Sequence, residues 1–201
     1  MNRIPTEPIG SIPRPEYLQK AMMAFGKGEM KADELAKLTD QAIKETIKEF
    51  ERTGSPVISD GEQSKPSFAT YPIHGLKNLA PEGVVIPFAD GHTRQLPKLT
   101  KGPFNYATYA DSYLEKAKKY SSLPVKQAVI SCSAISLLYP QEGIDGYSRE
   151  QFINDLINEA VSDIRKCLKS GAYNVQIDFT EARLALKLDP GKQLLASFIE
   201  L

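Results

Sequence analysis

An α/β fold built on a parallel sheet is what three features of the sequence predict. Along the 201 residues, apolar side chains alternate between helical spacing and short continuous runs. Glycines close the helical stretches shortly before those runs begin. Two such passages also echo each other. Glu51-Arg52-Thr53-Gly54 leads into a run ending Asp60-Gly61-Glu62, and Lys169-Ser170-Gly171 leads into one ending Asp178-Phe179-Thr180-Glu181. Helix, glycine stop, short strand and then two carboxylates is the form of repeated βα units in a barrel, whose functional groups gather at the C-terminal ends of its strands.

After a Pro-rich opening, Glu16–Gly28 reads as a short helix and Lys31–Thr53 as a long one. In the second, Leu35, Leu38, Ala42, Ile43, Ile47 and Phe50 recur three and four apart, giving one buried stripe. Gly54 suits a left-handed stop and Pro56 prevents the helix from resuming. Val57-Ile58-Ser59 then forms a short buried strand ending at Asp60. From Ser64 to Lys101, prolines at 66, 72, 81, 87 and 97 break the pattern, so loops with short strands at Val84–Phe88 and within Arg94–Thr100 are expected. Tyr106–Tyr120 reads as a helix and Val125–Ser131 as a strand. Ser148 and Gln151 have capping-box spacing ahead of a stripe at Phe152, Leu156, Ala160, Ile164 and Leu168. Gly171 ends that helix, Tyr173–Asp178 is a strand, and Asp189-Pro190 opens a last helix. The whole of 1–201 is read as one domain, a length that suits a single core.

Composition narrows the class. Hydrophobic residues make up 41% and charged residues 25%, as in ordinary globular proteins. Lys+Arg and Asp+Glu balance at 25 each, so no one-signed field attracts nucleic acid or an anionic membrane. The first residues lack the apolar core of a signal peptide, and no apolar run of about 18 residues could span a bilayer. Cys132 and Cys167 lie far apart, which argues against a disulfide scaffold and for a reducing, cytoplasmic setting. With His74 and His92 added, nitrogen and sulfur donors for a metal remain few.

Three strand ends carry polar groups. Ile9-Gly10-Ser11 is either a plain turn or a small carboxylate cradle of backbone N–H groups and a hydroxyl. Asp60-Gly61-Glu62 is either a solvated turn or a pair of acids able to hold an ammonium, exchange protons or ligate a hard cation. Asp178 with Glu181 and Arg183 is either a strand-end ion pair or a functional rim. Cys132 reads as a small core residue rather than a nucleophile, and Tyr139 as a pocket wall or core.

Ile9-Gly10-Ser11-Ile12-Pro13, Ser59-Asp60-Gly61-Glu62 and Val175-Gln176-Ile177-Asp178, in that order, resemble the catalytic domain of the cobalamin-independent methionine synthase family. The resemblance implies a (β/α)8 barrel of TIM type, here incomplete, with about the first five βα units. It implies zinc-dependent methyl transfer from 5-methyltetrahydropteroyltri-L-glutamate to L-homocysteine, with Ile9, Gly10, Ser11, Glu62 and Asp178 holding homocysteine. Arg94 and Tyr139 fall near the family's folate contacts, where Tyr139 stands in place of a tryptophan. Leu184 falls where the family has a glutamate, whose charge Glu181 or Arg183 could replace. The family's zinc ligands would all lie beyond Leu201, so this chain is expected to lack them, to be inactive alone, and to self-associate through exposed barrel edges. Two other readings stay open: alkylation of another thiol, of the coenzyme M and epoxide kind, and a non-catalytic amino-acid-binding or interaction module.

Overall fold

Helix α1 (Glu16–Gly26) and helix α2 (Ala32–Arg52) form where the apolar spacing predicts them. Glu34 reaches back to accept from the Lys31 backbone N–H (3.4 Å), and acids in the first turn of α2 with Arg52 in its last suit the helix dipole. Gly54 ends α2 with φ of +76°, the left-handed stop read from the sequence. These coordinates are a computed structural model that describes residues 4–87, 91, 93–189 and 191–201. His92, Phe88 and Pro190, each part of a sequence expectation, lie outside the described residues.

The chain divides into two compact units. The first comprises residues 1–68, 110–128 and 165–176. Its core packs Ile43 and Ile47 of α2 against Ile58, Val125 and residues Leu114 and Ala117 of helix α3 (Asp111–Lys118). Ile58 donates to the Pro124 carbonyl (3.0 Å) and accepts from Lys126 (2.9 Å), a parallel bridge. On the far side, Tyr173 N–H reaches Val125 O (2.9 Å) and Gln127 N–H reaches Asn174 O (3.2 Å). Three segments thus run parallel in chain order, the arrangement predicted for βα units. The expected strand at 57–59 is reduced to this single bridge, though its residues are buried.

The second unit comprises residues 69–109, 129–164 and 177–201. A 3₁₀ turn (Tyr71–Ile73) leads into four short strands, β1 (Leu79–Ala80), β2 (Val85–Pro87), β3 (Thr93–Gln95) and β4 (Lys98–Leu99). They pair antiparallel as β1 with β4, Leu79 opposite Leu99, and β2 with β3, Ile86 opposite Arg94. Short helix α4 (Cys132–Ser136) follows strand β5 (Gln127–Ile130), and neither α4 nor α6 (Glu181–Leu188) is foreseen in the sequence. Helix α5 (Arg149–Lys169) starts at the predicted capping box: Ser148 N–H to Gln151 Oε1 is 2.7 Å and Gln151 N–H to Ser148 Oγ is 3.2 Å. Phe152 of α5 packs edge-on against Phe104 and tilted against Tyr139, ring centroids 5.1 and 5.4 Å apart. Gly102 lies so close to the Tyr147 ring that a Cβ would meet it at 2.4 Å.

Strand β6 (Val175–Asp178) continues the parallel register in this unit, Ser131 N–H donating to Asp178 O (3.2 Å). Helix α7 (Gln193–Glu200) begins after Lys192, later than the expected start at Asp189, whose Oδ2 accepts from Leu194 N–H (2.8 Å) in the first turn. The helix expected over 106–120 is confined to Asp111–Lys118. The Tyr106 and Ala107 N–H groups are drawn instead to Glu159 (3.0 Å) and to the Pro72 carbonyl (2.7 Å). Among the described residues no helix is long and apolar enough to cross a membrane.

Candidate functional site

In the first unit, the buried residues 59–62 turn tightly. Gln63 N–H lies 3.4 Å from Asp60 O, and both central residues have positive φ, Gly61 at 60° and Glu62 at 59°. Gly61 is required twice over, because a Cβ there would also sit 2.8 Å from Ile12 Cγ1 and 2.9 Å from Thr46 Cγ2. Glu62 holds this conformation against steric preference, the kind of local strain that gathers at functional positions. Asp60 Oδ1 accepts from Glu62 N–H (2.8 Å), and burial pushes its carboxyl above the usual range, with the Lys65 charge working the other way.

Lys65 decides the electrostatics. Its Nζ lies 3.0 Å from Glu62 Oε1 and 2.7 Å from Ala128 O, with the two side chains 1% and 5% exposed. Glu62 therefore already has a cation. Arg14 clamps the loop from outside, donating to the carbonyls of Glu62 (3.1 Å) and Lys65 (2.6 Å). Ile12 N–H to Gly61 O (3.2 Å) ties the N-terminal segment to the same turn. The neighbouring Ile9-Gly10-Ser11 run is open: Ile9 is 79% exposed, its carbonyl accepts from Gln176 Nε2 (2.7 Å), and Ser11 is exposed. Lys65 and Arg14 were not foreseen, although Lys65 stands at ion-pair spacing, three residues after Glu62.

In the second unit, β5 and β6 end beside a second polar group. Glu181 is buried, and its Oε1 accepts from Ser131 Oγ (2.5 Å) and from Ser133 Oγ. Its other oxygen, Oε2, is buried without a partner, and so is the Tyr106 hydroxyl. Between the two serines lies half-buried Cys132, whose thiol is raised by burial above all, with the Glu181 charge adding to it. Asp178 ends β6, half-buried. Leu184 is buried and Arg183 exposed, so of the two residues suggested as substitutes for the missing glutamate, Glu181 is the one turned inward.

The two folate candidates are placed differently. Arg94 and His74 line a recess of about 310 Å3 with Leu76 and Gln95. Tyr139 does not line it; its hydroxyl donates to the Tyr147 carbonyl (2.7 Å) and its ring packs on Phe152. A cleft of about 490 Å3 beside Gly102, Tyr147 and Asp155 contains none of the predicted residues, and Asp155 there is engaged by the Tyr147 hydroxyl (2.5 Å). Cys167 is buried in α5. Among the described residues, no three His, Cys, Asp or Glu side chains are grouped to hold a metal ion. With Glu62 bound to Lys65, this donor set does not fit zinc.

No family model matches the chain. Among curated proteins, it is 23% identical over 176 residues to the methionine synthase of Sulfurisphaera tokodaii, covering 87% of this chain and 51% of that protein. It is 27% identical over 197 residues to the 5-methyltetrahydropteroyltriglutamate–homocysteine methyltransferase of Streptococcus gordonii, covering 92% of this chain and 24% of that one. The chain thus spans between a quarter and a half of the length of these relatives. The fold is shared with a B12-independent methionine synthase from Shewanella sp. W3-18-1, solved with selenomethionine, at 18% identity and a TM-score of 0.69 over 91% of this chain and 54% of that one. It is shared too with a putative B12-independent methionine synthase from Listeria monocytogenes, at 24% identity and a TM-score of 0.63 over 88% and 52%. Along about nine-tenths of its own length, this chain is similar to cobalamin-independent methionine synthases.

Proposed function

We propose that the chain serves methyl transfer from a polyglutamated methyltetrahydrofolate to L-homocysteine, as the first βα units of an incomplete (β/α)8 barrel, in the cytoplasm. The observation that carries this reading is the acid pair Asp60-Gly61-Glu62, built into a strained, buried turn at the end of a parallel segment, in a chain similar throughout to methionine synthases. In this reading, which rests on the family resemblance, Ile9, Gly10, Ser11, Glu62 and Asp178 hold homocysteine, and Arg94 and Tyr139 are the weaker folate contacts. Zinc, which the family resemblance implies, would favour the thiolate form of the acceptor. This chain's own residues supply polar and charged contacts for the amino acid rather than metal ligands. Exposed Ile177 and Phe179 at the end of β6 favour self-association when the chain is alone.

Calorimetry tests the reading. L-methionine and L-homocysteine should bind the 201-residue chain without added zinc, and Asp178→Ala should abolish the heat. The absence of heat with both ligands, from a folded sample, would remove it.

A further inference from the structure

We infer, resting on the methyl-transfer reading of Ile9-Gly10-Ser11, that Gln176 is a positioning residue for that run. Held in one orientation by Lys126, it aims the Gly10 and Ser11 N–H groups at a ligand carboxylate. The contacts lie wholly within the first unit. Lys126 Nζ donates to Gln176 Oε1 (2.9 Å) and to Glu7 Oε2 (3.3 Å), and Gln176 Nε2 donates to Ile9 O (2.7 Å). A lysine ammonium has three donors and no acceptor, so the amide turns its oxygen toward Lys126 and its NH2 toward Ile9. The Lys126 side chain is only 6% exposed, which leaves little water to compete for that oxygen.

Gln176 thereby acts on the next residue. The Ile9 carbonyl and the Gly10 N–H share one trans peptide plane and point in opposite directions. Fixing the carbonyl on Gln176 therefore fixes where the Gly10 N–H points, on the side away from the glutamine. At the other end of the run, Ile12 N–H is bound to Gly61 O (3.2 Å), which fixes the plane joining Ser11 to Ile12. Gly10 and Ser11 are strung between these two anchors. Among the described residues, neither of their N–H groups nor the Ser11 hydroxyl has a protein partner. A Cβ on Gly10 would meet no atom within 4 Å, and Ser11 is exposed, so room and access are both present. Successive free N–H groups beside a hydroxyl suit an anion, and the carboxylate of an amino acid supplies one.

The probes are L-methionine and L-methioninol, which keeps the ammonium and thioether but lacks the carboxylate, followed by calorimetry of the 201-residue chain. The parent should prefer methionine by at least about tenfold, as expected for charge-assisted hydrogen bonds to backbone N–H groups. Gln176→Glu still accepts from Lys126 but has no N–H for Ile9, and should cut that preference to about twofold or less. Lys126→Met should reduce it too, and Lys126→Arg, which also only donates, should restore it. Should Gln176→Glu fail to fold, the two Lys126 variants carry the test. A merely structural role would weaken both ligands alike. No preference in the parent, or the same preference in the folded variants, overturns the inference and leaves the methyl-transfer reading standing. Absence of heat with methionine from the folded parent removes that reading instead, and acetate titrated against the Gly10 and Ser11 amide NMR signals then decides. Signals that move in the parent but not in Gln176→Leu keep the cradle and its positioning residue. Signals that stay still in the parent, or move equally in the variant, overturn both.

Discussion

At position 65 a lysine side chain is 1% exposed and held by one carboxylate and one carbonyl. Removing one partner of such a pair leaves the other charge buried alone, so Lys65→Met should cost about 3–5 kcal/mol. Adding Glu62→Leu should restore most of that loss, and urea unfolding of the single and double variants measures both. Asp60 gives a pH signature. Burial above all raises its folded pKa, so its contribution to stability is present below the unfolded value of about 3.9 and is lost as pH climbs through the raised folded value. Asp60→Asn should therefore gain on the parent chain as pH rises from about 4 to about 7, read as the difference in melting temperature. A difference constant across that range would mean the carboxyl titrates normally. That Glu62 and Asp178 follow short parallel segments was legible in the sequence, because acids after apolar runs stand out. Lys65 was not, because a lysine in a Pro-rich, polar stretch reads as solvated until the fold closes over it.

Among the elements, those with punctuation were readable and those without were missed. α2 and α5 carry long stripes, glycine stops and, for α5, a reciprocal cap whose loss in Ser148→Ala should cost about 1 kcal/mol in thermal unfolding. α6 escaped because Leu184, Leu186 and Leu188 alternate like a strand, and α4 because its five residues are too few to show a period. α3 was overextended because the tyrosines at 106 and 109 suggest a stripe, whereas Tyr109 spends its hydroxyl on Glu159 (2.6 Å). The turn at 60–63 is the element most sensitive to a methyl group. Gly61→Ala should lose at least about 1–2 kcal/mol from the left-handed backbone alone, with the Ile12 and Thr46 contacts adding to it. Gly54→Ala, equally left-handed but with no atom within 4 Å of the added Cβ, should lose less, and the two variants compared by denaturant midpoint separate strain from crowding.

For the molecule as a whole, the parallel neighbours at 58, 125–127 and 173–174 justify the α/β expectation, while the antiparallel hairpins between 79 and 99 occupy the stretch whose prolines hid their pairing. Among the described residues, β6 pairs only with β5, and Ile177 within it is 57% exposed. Sedimentation velocity should show association that grows with concentration, reduced by Ile177→Lys, since a charge at an open edge opposes strand addition. A monodisperse parent chain would contradict this.

Glu62 leaves a last consequence. Glycine would adopt its φ of 59° with no steric penalty, so the residue now present is a less comfortable occupant than the simplest alternative. Laboratory evolution scored on heat tolerance alone should therefore discard position 62 early, together with Lys65, since losing either by itself strands a charge. Lineages also required to keep ligand recognition should retain both, and sequencing the two populations would show whether the acid survives for its chemistry or by accident of descent.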